Sequence, residues 1–124
     1  MRLILDTRVL LWWRDAATPL SRQARAAIAD GSNEILVSIA SLWELTIKRA
    51  LGKITFPDDL EVVLQEERFG LLSISFEHLR ALDALPHLHR DPFDRLLLAQ
   101  SLAERLPIVS RDRRFAAYGA SLIW

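Results

Sequence analysis

His89-Arg90-Asp91-Pro92-Phe93-Asp94-Arg95-Leu96-Leu97-Leu98-Ala99 packs two carboxylates, two guanidiniums and a proline into one turn, then runs straight into an apolar helix. Pro92 suits the first helical position, where its missing N–H leaves no bond unmade. Asp91 then falls at the N-cap and Asp94 in the first turn, three residues later. Capping accounts for both: Asp91 would accept a backbone N–H, and Asp94 would complement the positive end of the helix dipole. The other reading is that the turn aims carboxylates at a cation, and choosing between the two takes the rest of the chain.

Downstream, the helix runs to about Glu104 and gives way to a strand, Leu106-Pro107-Ile108-Val109-Ser110. Phe115 and Tyr118 sit in a short helix or turn before Gly119, and Ser121-Leu122-Ile123-Trp124 is a last strand. Upstream, Ser75 caps a short helix that follows a weaker strand, Leu71-Leu72-Ser73-Ile74. Pro57-Asp58-Asp59 starts a helix through Leu60, Val63 and Leu64. Ser38 caps a helix from Ile39 to about Leu51, stopped by Gly52, after the strand Glu34-Ile35-Leu36-Val37. Ser21, at the end of the turn Thr18-Pro19-Leu20-Ser21, caps a helix carrying Ala24, Ala27 and Ile28 that ends at Asp30-Gly31. At the start, Leu3-Ile4-Leu5 is a short apolar run of the buried parallel kind, and Val9 to Trp13 form an apolar helical segment ending around Asp15. Strands alternate with helices throughout, which predicts an α/β domain with a central, mostly parallel sheet of about five strands. No repeat or linker divides the 124 residues, so the expectation is one domain over 1–124.

Composition narrows the function. Hydrophobic residues make up 51% of the chain, which is globular. The absence of cysteine excludes thiolate metal sites, disulfides and a cysteine nucleophile. No cleavable signal pattern follows Met1-Arg2-Leu3, and no apolar run approaches the ~20 residues of a membrane span. A cytoplasmic protein without a membrane partner is expected. Sixteen basic and sixteen acidic residues balance, so any nucleic-acid surface must be local.

Sites in open parallel sheets form at the carboxyl ends of strands. Asp6 directly follows the first strand, Asp112 follows the fourth by two residues in Ser110-Arg111-Asp112, and Asp94 opens the helix that feeds the fourth. Each alone could be a helix-start residue. Glu44 is different: its neighbours at i−4, i+3 and i+7 are Ala40, Ile47 and Leu51, and an ionised Glu on such a stripe is costly unless paired. Lys48, at i+4, could supply that pair. Four carboxylates brought together would repel one another unless a hard divalent cation joined them. Oxygen ligands without cysteine suit Mg²⁺ or Mn²⁺, and the chemistry such a site supports is phosphoryl transfer to water.

Leu3-Ile4-Leu5-Asp6-Thr7, Ser41-Leu42-Trp43-Glu44, His89 to Leu97 and Val109-Ser110-Arg111-Asp112, in this order, resemble the PIN-domain ribonucleases, and more narrowly the VapC toxins of type II toxin–antitoxin systems. The resemblance spans essentially the whole chain. It implies a three-layer α/β/α PIN-like fold and Mg²⁺- or Mn²⁺-dependent cleavage of RNA phosphodiesters. It further implies Asp6, Glu44 and Asp94 as the core acidic residues, Asp112 as a fourth, and Asp91 as a further metal ligand. Thr7 fits the small hydroxyl residue after the first Asp, and Ser110 the hydroxyl two before the last. The partners it implies are an RNA substrate, a cognate VapB-type antitoxin, a second copy of the chain and a toxin–antitoxin hetero-oligomer. One departure is Arg8, which stands where this subgroup usually has His. It could pair with Asp6, compete with the cation, or hold a substrate phosphate. The alternative function is therefore a catalytically weakened PIN domain acting as a binding module. A different Mg²⁺-dependent phosphoryl enzyme, such as a small phosphatase, is disfavoured because Asp6-Thr7-Arg8 lacks a second Asp.

Phosphate would need cations near the acidic residues. The candidates are Arg8, Lys48, Arg49, Lys53 and Arg90, together with Arg95, Arg111, Arg113 and Arg114. Lys48, by its spacing from Glu44, and Arg95, next to Asp94, are the best placed. His87 and His89 bracket the central motif, with His89 expected to hold the loop by a hydrogen bond. Of the four tryptophans, Trp43 is expected in the core. Trp12 and Trp13 are consecutive on a helix and cannot both face one core, so one should meet another chain or line a groove.

Overall fold

The computed structural model describes residues 1–16, 19–87 and 90–124. Thr18 of the expected turn and His89 lie outside the described residues. Among those described, β1 (Arg2–Leu5), β2 (Glu34–Ser38), β3 (Gly70–Leu72), β4 (Ile108–Val109) and β5 (Leu122–Ile123) form one sheet in the order β3-β2-β1-β4-β5. Every neighbouring pair is parallel, with Ile4 of β1 opposite both Leu36 and Ile108. The helices are α1 (Thr7–Arg14), α2 (Arg22–Ala29), α3 (Ile39–Ala50), α4 (Leu60–Glu67), α5 (Phe76–Ala84) and α6 (Pro92–Glu104), and a 3₁₀ helix spans Arg113–Tyr118.

The pleat of β1 divides the core. Leu3 and Leu5 face Val9 and Leu10 of α1, Ala24 and Ile28 of α2, Leu45 of α3 and Leu64 of α4. Ile4 faces the other way, toward Leu97, Leu98 and Ala99 of α6 and Phe115 of the 3₁₀ helix. Each of the Leu, Ile, Val and Phe side chains, fully buried, stabilises the fold by about 1.5–3 kcal/mol. A continuous apolar strand between two apolar layers is the pattern of a three-layer α/β/α fold.

The caps are those the sequence indicates. Ser21 Oγ accepts from the Ala24 N–H, Ser38 Oγ from Ala40, Asp59 Oδ1 from Glu61 and Ser75 Oγ from His78. β1 and β2 run one residue longer than expected, while β3, β4 and β5 are shorter, the first two of these for local reasons. Pro107 has no N–H to add to the ladder, so β4 begins at Ile108. β3 starts at Gly70, where a Cβ would lie 2.8 Å from Leu36 Cδ2, and ends before Ser73, whose carbonyl accepts from Gln100 Nε2.

Two expectations about tryptophan are corrected. Trp43 is 56% exposed rather than in the core, and packs edge-to-face with Phe93, with ring centroids 5.0 Å apart. The buried face of α3 is Ala40, Ser41, Glu44 and Leu45, and Trp43 points roughly 130° away from its centre. Ile47 and Leu51, counted on the apolar stripe beside Glu44, are also exposed. Trp12 and Trp13 both touch the core cluster on the α1 face. They diverge in what else they do, Trp13 donating its indole N–H to Glu67 Oε2 at 2.9 Å.

Topology fixes where a site can lie. After β1 the chain adds β2 and β3 on one side, then returns to add β4 and β5 on the other. The ends of β1 and β4 therefore lead away from each other at a switch point, which leaves a crevice beyond their carboxyl ends.

Candidate active site

Asp6 leaves β1 at that switch point. Its backbone occupies the N-cap position of α1, yet its side chain makes no capping hydrogen bond. Oδ2 instead accepts from Ser110 Oγ at the end of β4, at 2.7 Å. Ser110 Oγ in turn accepts from the Asp112 N–H at 3.0 Å, so one hydroxyl ties both strand ends together. Thr7 Oγ1 donates to Ser41 Oγ at 2.8 Å, which fastens the start of α1 to α3. Ser41 lies one turn before Glu44 on the same buried face, which places that carboxylate over the crevice.

Glu44 is buried. Its Oε2 accepts from Lys48 Nζ at 2.7 Å, the i+4 pair that the spacing allows. Its Oε1 is buried with no hydrogen-bond partner among the described residues. Asp94 comes from the first turn of α6, and Asp91 caps that helix by accepting from the Phe93 and Asp94 N–H groups at 2.9 and 3.2 Å. Asp112 caps the 3₁₀ helix, accepts from the Arg114 N–H at 3.0 Å and pairs with its guanidinium at 2.8 Å. The cap role is thus real for Asp91 and Asp112, and both also line the cleft.

The structure brings Asp6, Glu44, Asp91, Asp94 and Asp112 around one cavity of about 240 Å³. Electrostatics records their proximity. Burial pushes the Asp94 carboxyl up to about 7, and the charges of Asp6, Asp91, Glu44 and Asp112 add to the effect. Burial likewise raises Asp6, against the Ser110 hydrogen bond and the Arg8 charge, with Asp112 and Glu44 raising it further. Carboxylates forced together at this cost are a recurrent mark of functional sites.

Among the described residues, no group of three such side chains is disposed to hold a metal ion as it stands. The donor set nonetheless fits a hard divalent cation in its chemistry. All donors are oxygens, they repel one another without a cation, and Glu44 Oε1 is a buried acceptor without a partner among the described residues.

Of the expected cations, Arg8, Lys48, Arg111 and Arg114 line the cleft. Arg8 acts on Asp6 through its charge and makes no ion pair with it among the described residues. Arg95 is elsewhere: its Nη1 donates to the Pro86 carbonyl at 2.8 Å, and with His87 and Arg90 it borders a different cavity. Successive helical residues diverge by about 100°, so a turn that aims Asp94 inward aims Arg95 out. Arg49 is spent on the carbonyls of Phe56 and Asp58, while Lys53 and Arg113 are exposed and border no part of the cleft.

Sequence reasoning left open which tryptophan would line a groove. It is Trp12, which shares a face of α1 with Arg8 at i−4 and carries the Arg111 guanidinium over its ring. The missed signal is that spacing from Arg8.

The PIN domain family model matches residues 3–120. No curated protein is a significant sequence match. Among solved structures, the chain is similar to a chain of VapBC2 from Rickettsia felis bound to a promoter DNA fragment, with TM-score 0.74, 17% identity and coverage of 98% of this chain and 97% of that one. FitAcB from Neisseria gonorrhoeae gives 0.62, 18%, 98% and 96%. A toxin–antitoxin complex from Klebsiella pneumoniae gives 0.62, 16%, 98% and 96%. At these identities the likeness is one of fold.

Proposed function

The chain belongs to the PIN-domain family, and from that premise we propose that it is a divalent-metal-dependent endoribonuclease, the toxin of a type II toxin–antitoxin pair. The observation that carries this reading is the convergence of five carboxylates on the β1–β4 switch point, where burial first and the neighbouring charges second lift Asp94 to about 7. Asp6, Glu44 and Asp94 would hold the ion, with Asp112 and Asp91 assisting. A bound Mg²⁺ or Mn²⁺ supplies Lewis acidity for hydrolysis of a phosphodiester.

The chain's own residues do the rest. Ser110 fixes the Asp6 carboxylate by its hydrogen bond and favours the ionised form. Thr7 and Ser41 hold α1 against α3, so Asp6 and Glu44 keep their spacing. Arg8 and Lys48 offer cationic donors to a substrate phosphate that the acidic floor would repel. The products expected are a 5′-phosphate and a 3′-hydroxyl.

Toxin–antitoxin complexes among the structures of like fold support an antitoxin partner of the VapB type, while pairing with a second copy of the chain rests on the sequence resemblance alone. No helix among the described residues is long and apolar enough to cross a membrane; a cytoplasmic site of action belongs to the proposal. A second reading, a binding module of reduced activity, is favoured by Arg8, whose charge lies close enough to Asp6 to offset part of its burial. The two separate on incubating total RNA with the protein and with Asp6→Asn, in Mg²⁺ and in EDTA. Cleavage confined to the unaltered protein in Mg²⁺ supports the nuclease, and equal background in all four lanes overturns it.

A further inference from the structure

Among the described residues, Trp12 is the one aromatic side chain lining a cleft otherwise made of charged groups and Thr7. Arg111 Cζ lies 4.9 Å from its ring centroid, a cation–π contact. Trp124 leans on the same indole at 5.8 Å between centroids and 56° between planes. Arg111 is exposed and, among the described residues, donates no hydrogen bond, so the side of its guanidinium away from Trp12 is open. Arg111 also sits between Ser110 and Asp112, which fixes this stack beside the carboxylates.

We propose that Trp12 and Arg111 form a stacking subsite for one unpaired nucleobase next to the phosphodiester in the cleft, with Trp124 as its brace. The inference rests on the ribonuclease reading above. Carboxylates and lysine can grip a metal or a phosphate, but phosphate contacts carry no base information. Unpaired RNA bases are recognised by stacking on aromatic rings and on arginine planes, and a Trp12–Arg111 stack presents both at one spot. A base already stacked within a duplex cannot use it, so the subsite selects single-stranded RNA.

The test uses a fluorescein-labelled single-stranded RNA spanning a mapped cleavage position, and copies in which one ribose at a time is abasic. Binding is read by anisotropy in EDTA with the unaltered protein, Arg111→Lys and Trp12→Leu. In the unaltered protein, one abasic position beside the cut should weaken binding about tenfold, a loss that shrinks to about twofold or less in both variants. Arg111→Lys keeps the charge and loses only the plane, on an exposed side chain, so its result stands whatever Trp12→Leu does to the fold. Retention of the full abasic penalty in Arg111→Lys, or its absence at every position in the unaltered protein, would overturn the subsite while leaving the nuclease intact. If no RNA is cut in Mg²⁺, the nuclease reading and the subsite fall together.

Discussion

Ser110 Oγ reaches Asp6 Oδ2 across 104 positions of sequence, at 2.7 Å, and by that bond joins the ends of two adjacent parallel strands. The bond favours the ionised form of a carboxylate that burial disfavours. Ser110→Ala should therefore raise the Asp6 pKa further and move the acid limb of the cleavage profile to higher pH. The fold should lose about 2–3 kcal/mol, since the substitution removes both the bond to the carboxylate and the acceptor of the Asp112 N–H. A pH–rate profile beside a melting curve checks both, and an unmoved acid limb would show that Ser110 only braces the strands.

Asp94 gives the metal-free protein an unusual pH dependence. Its folded-state pKa, about 7, lies above the ordinary value of 3.8. Between those values the folded state binds more protons than the unfolded one, so stability falls as pH rises. The contribution is fully present below about pH 4 and lost above about pH 7. In EDTA, the melting temperature should drop by several degrees between pH 5 and pH 8. Asp94→Asn should flatten that slope and melt higher at pH 8, while abolishing cleavage. Lower melting at every pH would assign Asp94 to the helix start instead.

Three carboxylates of the cleft stand out in the sequence itself. Asp6, Glu44 and Asp94 were visible because each contradicts its surroundings: one ends a buried strand, one interrupts a helix's inward face, one follows a proline in a first turn. The fold was visible because apolar runs and caps alternate in a simple order. Helical phase was not. Trp43 and Arg95 sit one residue from Glu44 and Asp94, and adjacency on a helix means divergence, so Trp43 leaves the core and Arg95 the site where each was expected. The contact of Trp12, Arg111 and Trp124 joins three distant segments and follows only from the assembled sheet.

Arg8 stands on the first turn of α1 with its charge bearing on Asp6. Its removal has two opposed effects. Arg8→Ala takes a cation from beside the metal ligands, so the Mg²⁺ concentration for half-maximal cleavage should fall severalfold at pH 8. It also removes a phosphate contact, so KM for RNA should rise about tenfold at low salt, less at high salt. A titration of each at two ionic strengths separates them. If cleavage appears only in Arg8→Ala, the binding-module reading holds for the natural sequence.

Lys48 and Glu44 form an i,i+4 pair whose partners differ in exposure, the lysine side chain 41% accessible and the glutamate 7%. An exposed pair of this spacing would add only a few tenths of a kcal/mol. Here one carboxylate oxygen already lacks a partner among the described residues, and removing the lysine would leave both oxygens of a buried charge so. Lys48→Ala should therefore destabilise the metal-free protein by about 1–2 kcal/mol, below the value for a fully buried pair because water reaches the lysine. Mg²⁺ should restore most of that loss if Glu44 is a ligand, since a ligand bound only to the folded state stabilises it by mass action. Melting curves of Lys48→Ala with and without Mg²⁺ read this directly. Glu44→Gln in the same background should melt higher in EDTA and gain nothing from Mg²⁺. If Mg²⁺ fails to rescue Lys48→Ala, the pair is a structural ion pair and Glu44 leaves the proposed metal site.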